Sequence, residues 1–569
     1  MAVAASLIAL VAVLGMMTVL GSYGRRTTQT TSDFLVASRG VTPLWNATAI
    51  GGEYISAAAF LGSAGLVLAY GADMLWLPIG ATAGYVLLLA LVTAPLRRSG
   101  AYTISDFAEW RLGSRAVRWI VTACVCFIGW FYLLPQFRGA GITLRVLTGA
   151  PVWIGWALVV GVSAALVTSG GMRNVTAVQA VQFWVKLVAM AVPAVALLSL
   201  WHLDGAADPT GDRLPGFGRA TTVRVETGVA VRMPAAVLVA ARGVVDGAAY
   251  DGDRVALDPG RHSLSAGTEL AFPAGATVPH VERLPAQDGD TWAMPFGRGE
   301  DHGLYATYSA LLAVLLGTMG LPHILMRFYT NSCGRAARRT AAMVPALLSL
   351  FYVFPILYGA LGRLYTPELL MTGDTDATIL MLPQRLAPGA VGAMLTGLIA
   401  AGAFAAFIST SCGLVVAIAG TASQCLNGRG GITAFRLGVV FALAVPLTMV
   451  SRVGQESAGA LVALALGISA CSLCPLLVLG IWWRGLTPAG AGAGLVLGGG
   501  LAVVAGLARL LGRTLHGWPA MVLAQPAMVV APLSFAVMVA VSLLTRRRIP
   551  RRADRAMARL HLPEDVVTR

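Results

Sequence analysis

Thirteen runs of largely apolar residues dominate this chain, near 2–21, 43–70, 74–96, 118–144, 152–168, 175–200, 305–327, 341–365, 388–422, 431–450, 457–482, 488–509 and 519–544. A helix needs about 20 such residues to cross roughly 30 Å of hydrocarbon. Only 12% of the 569 residues are charged and 57% are hydrophobic, whereas a soluble domain carries about 25% charge. Too little polar surface exists to coat a water-soluble globule. The sequence therefore predicts an all-α polytopic membrane protein with about 13 transmembrane helices. It excludes a disordered chain, a nucleic-acid-binding protein and a conventional soluble enzyme. The first run has no basic leader and no small-x-small cleavage site before SYGRRTTQ, so it reads as a retained helix rather than a signal peptide.

The formal net charge of +15 is a topology signal before it is a binding signal. Alternate segments between the runs, beginning with 22–42, hold 24 Arg, and the opposite short segments hold 6. Basic residues stay on the cytoplasmic side. An outside N-terminus and a cytoplasmic C-terminus follow, with the basic tail 545–569 against the anionic inner leaflet. The seven cysteines avoid the one long polar segment, which implies no disulfide framework. Cys471 and Cys474 sit in an apolar helix with too few ligands around them for a structural metal.

That polar segment, 201–304, carries nine Arg against fourteen acidic residues, with short alternating stretches broken by Gly and Pro. It predicts a small β-rich extracellular insertion of a few short strands. The insertion divides the body into a first five-helix repeat (43–200) and a second (305–482). An extra helix (1–21) precedes them, and two C-terminal helices (488–544) and the tail (545–569) follow. Because five is odd, the two sets enter the membrane with opposite polarity, the arrangement of inverted repeats in secondary transporters. The first run of each set is interrupted at a matching place, by Gly51 and Gly52 in one and by Gly317, Gly320 and Pro322 in the other. Such breaks persist in a membrane where they line a cavity or coordinate a solute.

Glu53 is a carboxylate inside an apolar run, a functional-site candidate by default. A cation ligand, a proton carrier and a structural partner are all open roles. Ser409, Thr410 and Ser411 are consecutive hydroxyls in an otherwise small-and-apolar helix, the first two on one face with Ala406; hydroxyls and backbone carbonyls suit a hard cation, and Ser and Thr also bond back to carbonyls one turn away. Lys186, the sole lysine, lies inside a run with Gln179 and Gln182 before it. It can pair with a carboxylate, meet a substrate anion or snorkel. Ser56, Thr318 and His323 flank the two breaks as further cavity candidates, and Arg327 reads as an anchor at a helix end. No GxxxxGK[ST] loop, nucleophile elbow or HExxH helix occurs in the sequence, so neither ATP-driven transport nor catalysis is expected.

Six segments, TSDFLVASRG (31–40), GGEYISAAAFLG (51–62), RRSGAYTISDFAEWRLG (97–113), GGMRNVTAVQ (170–179), GLPHILMRFYT (320–330) and AAFISTSCGL (405–414), resemble the sodium/solute symporter family. The cation/acetate, or monocarboxylate, branch is the best likeness. The resemblance implies two inverted five-helix repeats (LeuT-like) working by alternating access, with sodium as the coupling ion. Carried over by position, it places sodium on the backbone oxygens of Gly52, Ile55 and Ala406 and the hydroxyls of Ser409 and Thr410. Acetate carriers of this branch often have GDYMSAASF where this chain has GGEYISAAAF, so the solute is less fixed than the ion.

The expected function is inward sodium movement coupled to uptake of a small monocarboxylate such as acetate, propionate or pyruvate, in the plasma (inner) membrane. A proton-coupled carrier using Glu53, a sodium-coupled carrier of another small solute such as an amino acid, and a transporter-like sensor are the alternatives. No cofactor, nucleotide or nucleic-acid partner is expected.

Overall fold

The structure, a computed structural model, describes residues 2–25, 36–211, 214–282, 284–285, 287–295, 303–427, 432–452, 457–511 and 517–562. Of the sequence features above, residues 31–35, Arg26, Arg429, Arg513 and tail residues 563–569 lie outside the described residues.

Eleven helices among the described residues are long and apolar enough to cross a membrane. Two of these contain two passes. Val152–Leu203 has 52 residues, about 78 Å at 1.5 Å per residue, far longer than one crossing requires. Gly171, at φ 56° and ψ −148°, divides it into two rods. Ala58–Leu91 is likewise divided at Gly71, where φ is 63° and the turn Gly71–Leu75 begins. With these two divisions the helices account for the thirteen runs.

The helices used below are α1 (Ala2–Arg25), α2 (Pro43–Tyr54), α3 (Ser63–Tyr70), α4 (Trp76–Leu91), α5 (Arg115–Thr148), α6 (Val152–Leu203), α7 (Gly303–Gly320), α8 (Pro322–Tyr329), α9 (Gly334–Tyr365), α10 (Ala390–Asn427), α11 (Ile432–Val450), α12 (Ala458–Cys471) and α13 (Leu473–Trp482). The helices α6 and α10 form the buried centre, with α2, α5 and α1 packed around them.

Both expected interruptions exist, but one is displaced. Leu321, at φ −63° and ψ 116°, separates α7 from α8, and Pro322 opens α8 at its first position, where a missing N–H costs nothing. In the first repeat Gly51 and Gly52 are still helical, and the break falls at Ile55 (φ −70°, ψ 85°) and Ser56. The helix resumes at Ala57 through a π turn, Ala58–Gly62. The glycine pair serves close approach instead. A Cβ on Gly52 would stand 2.2 Å from the Gln179 carbonyl oxygen, and one on Gly51 would stand 2.9 Å from the Phe183 ring. The absence of these side chains brings α6 against the last turn of α2, the small-residue packing usual in membranes.

The insertion is more ordered than a few short strands. Seven strands, β1 (Thr221–Arg224), β2 (Val229–Met233), β3 (Val237–Val245), β4 (Ala248–Leu257), β5 (Gly260–Leu264), β6 (Glu269–Phe272) and β7 (His280–Val281), form one sheet of order β1-β6-β3-β5-β2-β7, with β4 paired to β3. Its inner face, including Val231, Val239, Leu264 and Leu270, shares an apolar cluster with Leu68 and Ala69 of α3 and with Leu369, Leu370 and Met371. Trp292 Nε1 donates to the Val67 carbonyl at 2.9 Å. The same N–H reaches the Leu68 carbonyl at 3.2 Å, one of the last carbonyls of α3, which lack helical partners.

Gly52→Ala is expected to lower the unfolding temperature in detergent, by an overpacking penalty of about 1–3 kcal/mol. Gly161→Ala, at an α6 position with no atom within 4 Å of the new Cβ, should leave it unchanged.

Candidate functional site

The break in α2 leaves carbonyl oxygens without helical partners, and α6 and α10 supply the groups that meet them. Lys186 Nζ donates to the carbonyl of Gly52, to the carbonyl of Ile55 at 2.8 Å and to Ser409 Oγ at 2.5 Å. Ser409 Oγ lies 2.8 Å from the Gly52 oxygen and 3.1 Å from the Ala406 oxygen. Thr410 Oγ1 donates to the Glu53 carbonyl at 2.6 Å. Gln179 Nε2 donates to the Ser409 carbonyl at 2.6 Å. The Gly52 and Ile55 carbonyls and the Ser409 hydroxyl thus gather around the Lys186 amino nitrogen, with the Ala406 carbonyl reached through Ser409 Oγ, and Thr410 is turned toward α2. All are buried.

Such neutral oxygens suit a hard monovalent cation, and the Lys186 amino nitrogen is the group that meets them here. Of the three roles open to Lys186 in the sequence, carboxylate pairing and snorkelling are not observed: among the described residues no carboxylate oxygen lies within 4.0 Å of it, and its side chain is fully buried.

Glu53 is answered by an arginine. Arg327 Nε lies 2.6 Å from Glu53 Oε2, and both side chains are fully buried. The remaining guanidinium nitrogens bond Thr176 Oγ1 at 2.5 Å and Gln179 Oε1. Asn46 Nδ2 donates to the Arg327 carbonyl at 2.9 Å. Arg327 is therefore not an interfacial anchor. It neutralises Glu53 and joins α8 to α2 and α6. Gly413 makes room for the carboxylate, because a Cβ there would fall 1.6 Å from Glu53 Oε1.

A small cavity of about 50 Å³ opens on the other side of the same break, lined by Tyr54, Ser56, Ala58, Ala59, Tyr132 and Tyr352 among others. Gln136 Oε1 accepts from the Ala57 amide at 2.9 Å, and the first intrahelical bond of the new half-helix runs from the Phe60 amide to the Ser56 carbonyl at 2.8 Å. Tyr54 and Thr318 join the two broken helices through a 3.1 Å hydroxyl contact.

His323 lies edge-on to Tyr132, 5.2 Å between ring centroids, and neither of its nitrogens has a hydrogen-bond partner among the described residues. Gln182 is buried with both amide atoms unpartnered. Thus Glu53, Gln179 and Lys186 join one polar network, Ser56 lines the cavity, Thr318 borders it through Tyr54, and Gln182 and His323 remain apart. Gln136, Thr176 and Asn46 belong to the assembly and were not singled out in the sequence. A polar residue in an apolar run marks each of them, but nothing in the run indicates which break it faces.

Removing one partner of a fully buried ion pair leaves an uncompensated charge and costs about 3–5 kcal/mol. Arg327→Met and Glu53→Gln should each destabilise the protein on that scale. Thermal unfolding of the double variant should show recovery of part of the loss, and fully additive losses would contradict the pairing.

Comparisons with known proteins agree with this architecture. A profile of the sodium:solute symporter family matches residues 34–207 and 301–498, leaving out most of the insertion. An uncharacterized symporter of Bacillus subtilis is 25% identical over 491 residues, covering 84% of this chain and 81% of that protein. A monocarboxylic acid transporter of Corynebacterium glutamicum is 27% identical over 503 residues, covering 85% of this chain and 79% of that protein. Among solved structures, the substrate-bound outward-open state of a Na+-coupled sialic acid symporter aligns with a TM-score of 0.62 at 14% identity, over 94% of this chain and 98% of that one. The fold is thus LeuT-like. With the family profile matching well over half its length, this multi-pass membrane protein belongs to the sodium:solute symporter family.

Proposed function

We propose that the chain carries a small monocarboxylate inward by alternating access, driven by a cation gradient across the plasma (inner) membrane. The observation that supports this reading best is the start of the half-helix at Ala57. Ala58 and Ala59, whose amides precede its first intrahelical bond, line the cavity. The N-terminus of a helix presents unpaired N–H groups and a partial positive charge, the usual receptor for an anionic substrate group in transporters with broken helices. The hydroxyls of Ser56, Tyr54, Tyr132 and Tyr352 add donors, and the other lining residues include Ala81, Val314, Leu66 and Val462. Among the described residues no charged side chain lines this cavity. A short carboxylate with an apolar tail suits such walls, and the name of the Corynebacterium glutamicum relative points to the same solute class.

Sodium, the ion in the family's name, is the first driving ion to test. The proton-coupled alternative through Glu53 draws less support, because that carboxylate is committed to Arg327. The excess of Arg on alternate segments favours an outside N-terminus and a cytoplasmic C-terminus.

Proteoliposome uptake of radiolabelled acetate, propionate, pyruvate and proline, under imposed sodium or proton gradients, tests the proposal. Accumulation of at least one monocarboxylate under a cation gradient, with proline excluded, is expected. Uptake of none of the three acids would reject the solute class. Ala59→Leu, which fills the cavity beside the amide end, should cut carboxylate uptake at least tenfold without loss of folded protein.

A further inference from the structure

We propose that the Lys186 ammonium is the resident cation of the pocket formed by Gly52, Ile55, Ala406 and Ser409, so that this pocket does not bind sodium while Lys186 is in place. The inference rests on reading these oxygens as the family's cation position, and it departs from the family in what fills them.

The coordination is the first ground. A lysine ammonium has three N–H donors and no acceptor, and Lys186 directs its donors to the Gly52 carbonyl, the Ile55 carbonyl and the Ser409 hydroxyl. A buried lysine is ordinarily held by a carboxylate, but Glu53 is engaged by Arg327. Lys186 is instead surrounded by neutral oxygens, as an alkali cation would be.

Position is the second ground. Two of the three acceptors are carbonyls of the residues around the break in α2, and the third is the α10 hydroxyl that also reaches the Gly52 oxygen. The ammonium therefore ties α2 to α10 at the point where a bound ion would otherwise join them. Close approach of α6, permitted by Gly51 and Gly52, puts the lysine stem within reach.

The third ground is tethering. An ammonium on the same chain competes intramolecularly, at an effective concentration that a tether sets in the millimolar range or above. Free sodium must displace it, and an unshielded second positive charge among the same oxygens is disfavoured.

Equilibrium binding of radioactive sodium to the purified full-length protein, with no carboxylate present, tests this apart from the proposed solute. The wild type is compared with Ser409→Ala, Lys186→Ala, Lys186→Gln and each Lys186 variant combined with Ser409→Ala. The wild type should show no sodium binding that Ser409→Ala removes. At least one Lys186 variant should gain a site of at least tenfold higher affinity than the wild type shows, lost again on adding Ser409→Ala. Lys186→Gln, which keeps a polar side chain in the pocket, covers the case in which Lys186→Ala fails to fold. Ser409-dependent sodium binding by the wild type would overturn the proposal outright. Folded Lys186 variants that gain no Ser409-dependent site would overturn it as well, because the pocket would then be no cation site. Failure of monocarboxylate uptake would leave all these outcomes unchanged.

Discussion

A helix interrupted inside a membrane exposes backbone groups that no water is present to satisfy, and the centre of this protein is organised around that requirement. At the break in α2 the carbonyls of Gly52 and Ile55 receive Lys186, that of Glu53 receives Thr410, and the amide of Ala57 reaches Gln136. These partners come from α6, α10 and α5, so meeting the backbone's demand also fixes three helices around one point. Their neighbours at the same break, Tyr54, Ser56, Ala58 and Ala59, line the small cavity, which is how a local structural debt becomes a candidate site.

Charge is handled by a parallel logic. Glu53, Arg327 and Lys186 are three fully buried ionisable side chains within one network, two of them paired and the third solvated by neutral oxygens. Arg327 spreads its donors over Glu53, Thr176 and Gln179, so the planar guanidinium links α8 to α2 and α6 in a way a lysine could not. Gly413 and Gly52 keep the surrounding helices close enough for these bonds to form.

The pass count and the paired interruptions were legible in the sequence because apolar length and Gly/Pro placement carry them directly. The exact break was not. Gly51 and Gly52 signal either a break or a close approach, and the structure uses them for approach while Ile55 and Ser56 open the helix. The site residues were legible as polar exceptions in apolar runs, but their pairing was not, since Glu53 and Arg327 are 274 positions apart. Arg327 was misread as an anchor because a helix-end arginine ordinarily is one. The sheet in 201–304 was underestimated because β4, whose residues are mostly exposed, has no clear inside–outside alternation.

The sheet's attachment has a mechanical consequence. It is fastened both to the end of α3, through Trp292, Leu68 and Ala69, and to Leu369, Leu370 and Met371, and α3 belongs to the second half of the broken helix. The tip of the half-helix and the segment carrying Leu369, Leu370 and Met371 are thus held by one apolar layer, so a shift of either at this end has to be accommodated by the sheet between them.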